Sequence, residues 1–151
     1  MRQDSSVAAS NRSALNLLEK SVRETNVLRD HRVYATIPTA DVDRLRRFYE
    51  DTLGFPVVEE TPGGIFFGAA DGTVFAVTRQ SGSASGTHTQ MGIRVQGIEG
   101  EVADLRRRGV RFEEYAAPRT VDGIADVPVG KAAWFKDPDG NLIGMVQFAG
   151  A

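Results

Sequence analysis

From Val33 the chain alternates apolar and polar residues with the period of a strand, through Val33, Ala35 and Ile37, and then changes to helical spacing at Val42, Leu45, Phe48, Tyr49 and Leu53. Gly54 is placed to end that helix. Phe55 to Glu60 predicts a second strand, Pro62-Gly63-Gly64 a turn, and Ile65 to Phe67 with Thr73 to Thr78 a hairpin closed through Ala70-Asp71-Gly72. The order is βαβββ. Ser81 to Gly86, almost all Ser and Gly, reads as a flexible connector, and after it the same signals return. Thr89 to Val95 alternates, Ile98 to Arg108 is an amphipathic helix stopped by Gly109, Arg111 to Tyr115 reads as a strand, and Lys131 to Phe135 with Asn141 to Phe148 forms a hairpin through Asp137-Pro138-Asp139-Gly140.

The recurrence keeps a nearly constant offset. Tyr34 to Gln90 and Asp41 to Gly97 are each 56 residues apart, and Gly54 to Gly109 is 55. Asp71 to Asp139 is 68, so the second unit carries about a dozen extra residues, which fall in the stretch Ala116 to Gly130 and predict a long loop beside the hairpin. The chain therefore reads as an α+β domain of two βαβββ modules, over 32–80 and 87–149 within a domain spanning 31–151. Residues 1–30 differ: they are polar, lack Gly, and hold one amphipathic pattern at Leu15, Leu18 and Val22 behind Asn11 or Ser13. They predict either a short helix or a flexible arm.

With 151 residues, 41% hydrophobic and 25% charged, the chain is long enough for one well-packed core and unlike a disordered or fibrous sequence. A net charge of −2, with arginines interleaved among carboxylates, argues against a nucleic-acid partner. The absence of cysteine excludes disulfides, thiolate metal sites and cysteine nucleophiles. No apolar run approaches the roughly 20 residues that cross a bilayer, so no membrane association is expected. The start Met1-Arg2-Gln3-Asp4 lacks the pattern of a secretory signal, which makes the cytoplasm the expected compartment.

Three strings resemble the glyoxalase, bleomycin-resistance and dioxygenase (vicinal oxygen chelate) superfamily: Asp41-Val42-Asp43-Arg44 leading to Phe48-Tyr49 and Leu53-Gly54-Phe55; Leu105 to Gly109; and Trp134-Phe135-Lys136-Asp137-Pro138-Asp139-Gly140-Asn141. Together they cover roughly residues 32 to 149. The resemblance implies paired modules whose eight strands curl around a cleft, with the helices outside. Parity then assigns Val33, Ala35, Ile37, Met91, Ile93, Val95, Ala133, Phe135, Ile143 and Met145 to the core. Tyr34, Thr36, Phe66, Ala76, His88, Gln90, Gly92, Ala132, Trp134, Gly144 and Val146 are assigned to the cleft.

Catalytic members of that superfamily hold a divalent ion through a His on the first strand, a His or Gln on the strand opening module two, and a Glu on the final strand. The matching positions are Tyr34, Gln90 and Gly144, with Ala76 as the fourth pseudo-equivalent. This set does not supply the roughly three protein donors of a catalytic metal site, so no metal and no cofactor is expected. Tyr34, Phe66 and Trp134 would wall the cleft, Thr36, Gln90 and His88 would supply polar groups, and Gly144 would open the floor, a lining that suits a planar or amphipathic ligand. The family's habit of placing polar groups at the cleft mouth adds Glu114 and its counterpart Glu59, whereas Asp137 and Asp139 are read as turn residues. The expected function is metal-independent binding of a small aromatic or amphipathic compound, to sequester or sense it, by a homodimer. The alternatives are a lyase, isomerase or dioxygenase-like enzyme using Glu114, His88 or Tyr34 as acid or base, and a regulatory protein with a closed cleft.

Overall fold

The computed structural model describes residue 16 and residues 28–150 and divides into two units, Met1–Val33 and Tyr34–Ala151. In the first unit Leu28–Asp30 form one 3-10 turn; the amphipathic pattern at Leu15, Leu18 and Val22 lies outside the described residues. Val33, assigned by parity to the core, is 93% exposed, because regular pairing begins only at Ala35.

In the second unit strand β1 (Ala35–Thr39) is followed by a helix that Asp41 starts, its carboxylate accepting the Arg44 N–H at 3.0 Å. This helix, α1 (Val42–Arg46), passes into a π-helical turn over Arg47–Thr52. The wider turn sets Phe48 and Tyr49 edge to face with centroids 5.3 Å apart, both packed on the core. Strands β2 (Val57–Thr61), β3 (Gly64–Gly68) and β4 (Val74–Arg79) complete module one, with sheet order β1-β4-β3-β2. β1 lies parallel to β4 and the other pairs are antiparallel.

Module two repeats this with β5 (Thr89–Arg94), α2 (Ile98–Arg107), β8 (Gly130–Lys136) and β9 (Leu142–Phe148). Here a glycine, Gly97, precedes the helix and offers no capping side chain; Gln147 of β9 supplies the acceptor, 2.8 Å from the Ile98 N–H. Both inner hairpin strands open on a glycine with positive φ, Gly64 at +155° and Gly130 at +143°. A Cβ at either would stand 2.1 Å from a carbonyl oxygen of the neighbouring strand, Val77 or Gln147. No other residue fits such an approach.

The stretch Ala116 to Gly130, expected as a loop, instead carries a hairpin, β6 (Thr120–Val121) and β7 (Ile124–Val127). Conversely Arg111 to Tyr115, expected as a strand, makes a single bridge from Phe112 to Phe135. The two corrections have one cause. β8 is seven residues long against five for β3, so its outer edge is covered in two pieces, by Phe112 opposite Phe135 and by β7 opposite Gly130 to Ala133. The described residues thus form nine strands in two mixed sheets, the second ordered β5-β9-β8-β7-β6, which is the expected α+β arrangement of curled sheets with the β6–β7 hairpin added at one edge.

The sheets meet where β1 lies beside β5, and there the Gln90 amide donates to the Thr36 carbonyl at 3.1 Å. One apolar cluster serves both modules, running from Ile37, Leu45, Phe67 and Phe75 to Ile98, Phe135, Ile143 and Met145. Within it sits a polar knot. The Tyr49 hydroxyl donates to Asp137 Oδ2 at 2.9 Å and the Asn141 amide donates to the same oxygen at 2.8 Å, while the backbone N–H groups of Asp139 and Asn141 bond Oδ1, each at 2.9 Å. Asp139 is held in turn by Thr39 and Arg44 of module one, and Asn141 Nδ2 reaches the Pro38 carbonyl at 3.3 Å. Desolvation raises the Asp137 pKa, although its hydrogen bonds pull the other way; burial and then the Asp137 charge push the Tyr49 phenol far up, so it stays a donor. Among the described residues no helix is long and apolar enough to cross a membrane.

Replacing Tyr49 with Phe removes one buried donor to this carboxylate at little change in volume. It is expected to cost about 1–3 kcal/mol of stability, read as a lowered midpoint in thermal or urea unfolding. Because the Tyr49 bond favours the ionised form of Asp137, the loss should grow as Asp137 ionises and shrink as it is protonated; desolvation raises the Asp137 pKa and moves that change upward in pH. A wild-type midpoint in Tyr49→Phe would show that this buried bond adds no net stability.

Candidate functional site

The strands bury alternate residues under the helices, and the opposite faces hold the positions expected in the cleft. In module one Phe66 stands opposite Ala76, and Tyr34 packs edge to face on Phe66 with centroids 5.3 Å apart. In module two Trp134 stands opposite Gly144, and Tyr115 packs edge to face on Trp134 at 5.7 Å. Each floor thus has a large aromatic side chain beside a small one. The match is close at Gly144, where a Cβ would lie 3.1 Å from Thr89 Cγ2 and 3.3 Å from Trp134 Nε1. Glycine lets the indole lie down on the floor.

A cavity of about 420 Å³ opens over the module-two floor, lined among others by Trp134, Tyr115, His88, Glu113, Lys136 and Leu142. Its size is in the range of small-molecule sites. Of the expected site residues it brings together His88 and Trp134, with Gly144 beneath the indole. Gln90 and Thr36 lie at the seam between the modules, bonded to each other, and Tyr34 and Phe66 line the module-one face.

Glu114 is not in the cavity. Its carboxylate accepts the Thr120 hydroxyl at 2.5 Å and lies 4.0 Å from Arg106. Its neighbour Glu113 lines the cavity instead. The reason is parity: Phe112 packs into the core on Phe135, with centroids 5.6 Å apart, which sends residues 113 and 115 to the cleft side and 114 away from it. Phe112 was the signal that could have found Glu113 and Tyr115. Glu59, the module-one counterpart, is exposed on β2 opposite Phe66.

A wider depression of about 890 Å³ lies between α2 and the β6–β7 hairpin. Its lining is mainly charged, with Lys131 paired to Glu99 and Arg106 over the Phe112 ring, and it has no aromatic wall. A lining of that kind does not suit a planar apolar ligand, whereas the aromatic cavity does.

A divalent ion does not fit the floor. Of the four positions matching metal ligands, Ala76 and Gly144 carry no donor, Tyr34 offers a phenol, and the Gln90 amide is turned to the Thr36 carbonyl. His88 Nδ1 is bonded to Ser85 Oγ at 2.8 Å. No group of three or more His, Cys, Asp or Glu among the described residues is placed to hold a metal.

The sequence profile of the Glyoxalase/Bleomycin resistance protein/Dioxygenase superfamily matches residues 31–145. Among solved structures the chain is similar to TnmS3, an antibiotic binding protein from Streptomyces sp. CB03234, with 26% identity over 79% of this chain and 96% of that one, at a TM-score of 0.58. It is also similar to a glyoxalase/bleomycin resistance protein from the same organism, with 26% identity over 74% and 96% of the two chains and a TM-score of 0.55. A glyoxalase/bleomycin resistance protein/dioxygenase from Alicyclobacillus acidocaldarius shares the fold at 18% identity, over 79% and 92%, with a TM-score of 0.60. No curated protein sequence matches significantly.

Proposed function

The chain belongs to the glyoxalase, bleomycin resistance protein and dioxygenase superfamily, and from that premise we propose that it is a metal-independent binding protein, which takes up a planar aromatic or amphipathic compound to sequester or sense it. The observation that carries this reading is the module-two floor: where a catalytic relative would place an acidic metal ligand there is Gly144, and over it lies Trp134, supported by Tyr115, at the wall of a cavity of about 420 Å³. A glycine floor under an indole offers a flat apolar contact and no Lewis acid. The similarity to an antibiotic binding protein supports the same reading. The active species is a homodimer. Its support is the apolar surface left open on the second unit, where Tyr34 is 46% and Val58 57% exposed, and a second copy would cover it.

Planar aromatic compounds should quench the emission of Trp134, the chain's one tryptophan. Stacking adds about 0.5–1.5 kcal/mol beyond buried area, so Trp134→Ala should weaken binding severalfold and Trp134→Phe should keep part of it. An aromatic and amphipathic compound screen that leaves the emission unmoved would remove the reading. Elemental analysis should find no stoichiometric transition metal, and EDTA should leave the melting temperature unchanged, since a bound ion stabilises the fold that holds it. One equivalent of Zn, Ni, Mn or Fe overturns metal independence. Light scattering at micromolar concentration should give the mass of two chains; the mass of one chain counts against the dimer.

A further inference from the structure

The module-two cavity has an apolar wall and a polar end, and the polar end is built for a particular chemistry. Lys136 follows Trp134 by two residues on β8, so both lie on the same face of the sheet. Its ammonium is 3.7 Å from Glu113 Oε1, beyond hydrogen-bond length, and it donates no hydrogen bond among the described residues. The pair is therefore a loose Coulombic contact that positions the ammonium and leaves all its N–H groups available. Gly86 of the connector makes room for it: a Cβ there would stand 3.3 Å from Lys136 Cε and 3.6 Å from Nζ.

His88 is held at the same cavity. Ser85 Oγ accepts the Thr87 N–H at 3.3 Å and sits 2.8 Å from His88 Nδ1, to which it can give its own proton. In that arrangement the remaining ring nitrogen, Nε2, carries a hydrogen and is a donor. Glu113 faces Lys136 on one side and on the other the Tyr115 phenol, whose pKa is raised by burial and then by the Glu113 charge. Protein groups thus flank the one carboxylate, while the two nitrogen donors keep free capacity.

We propose that this cavity selects planar aryl compounds that carry an acidic oxygen group, a carboxylate or phenolate, with the ring on Trp134 and the oxygen on Lys136 Nζ and His88 Nε2. The proposal rests on the binding reading above and deepens it by naming the ligand class. Glu113 acts as a positioning residue that holds the ammonium at the cavity and restrains anion affinity by its own charge. Three probes of one shape separate the possibilities: 2-naphthoate, 2-naphthamide and 2-naphthylmethylammonium, titrated by Trp134 emission and by calorimetry.

Naphthoate should bind tighter than the amide by on the order of fivefold to tenfold, the range of a charge-assisted hydrogen bond at a part-exposed site. Lys136→Met should abolish that advantage, bringing naphthoate and the amide to similar affinity, Lys136→Arg should keep it, and Glu113→Gln should enlarge it. Trp134→Ala should weaken all three probes. If carboxylate and amide bind equally, if the ammonium binds tightest, or if Lys136→Met spares the advantage, the acidic-ligand inference falls while the aromatic-cavity reading stands. If none of the three binds, both fall.

Discussion

A carboxylate taken out of water must be met by donors from every side, and Asp137 meets that requirement by drawing both modules onto itself. Tyr49 reaches it from the π-helical turn of module one, Asn141 from the start of β9, and two backbone N–H groups from its own turn. An unpaired buried charge would cost several kcal/mol, so the geometry of the knot is tightly determined. Since the helix of one module and the last hairpin of the other end on the same atom pair, their relative placement follows. Phe48 against Phe135 and the shared apolar cluster then pack around a junction that the polar contacts have aligned. The β8–β9 hairpin so positioned carries Trp134 and Gly144, which means the cavity floor is set from the opposite side of the sheet.

The two modules show how one scaffold holds unlike surfaces. Phe66 opposite Ala76 and Trp134 opposite Gly144 occupy corresponding places, each a large ring beside a small residue. The difference lies in what surrounds them. Module two carries the longer β8 and the split outer strand, and the segment from Phe112 to Tyr115 brings Tyr115 and Glu113 to the cavity over its floor. Although this segment forms only one bridge, it keeps the alternation set by Phe112, which turns residues 113 and 115 to the cavity. The insertion after it, through β6 and β7, covers the edge of β8.

Much of the fold was legible because local rules agree with one another along this chain. Asp41 before an apolar helical stripe, Gly54 and Gly109 after one, and Asp-Gly turns between alternating runs each specify the same repeat. Strand parity correctly separated Ile37, Met91, Ile143 and Met145 in the core from Phe66, Trp134 and Gly144 on the opposite face. Parity failed at Val33, which precedes the pairing it was assumed to share, and the family analogy that placed Glu114 at the cleft failed for want of a parity count from Phe112. Asp137 was read as turn chemistry, which it is, but a turn residue that is also the buried partner of a tyrosine 88 residues away gives no sign of this in its own neighbourhood.

By itself the sequence determined the two-module order and the core stripe, since each depends on residue type and short-range spacing, which are written along the chain. Tertiary structure alone decided that Lys136 and His88 share the cavity of Trp134, and that Tyr49, Asp137 and Asn141 close into one knot. Those meetings depend on how far β8 extends and on which strand covers its edge, quantities set by the packing of distant segments against each other and carried by no local window of residues.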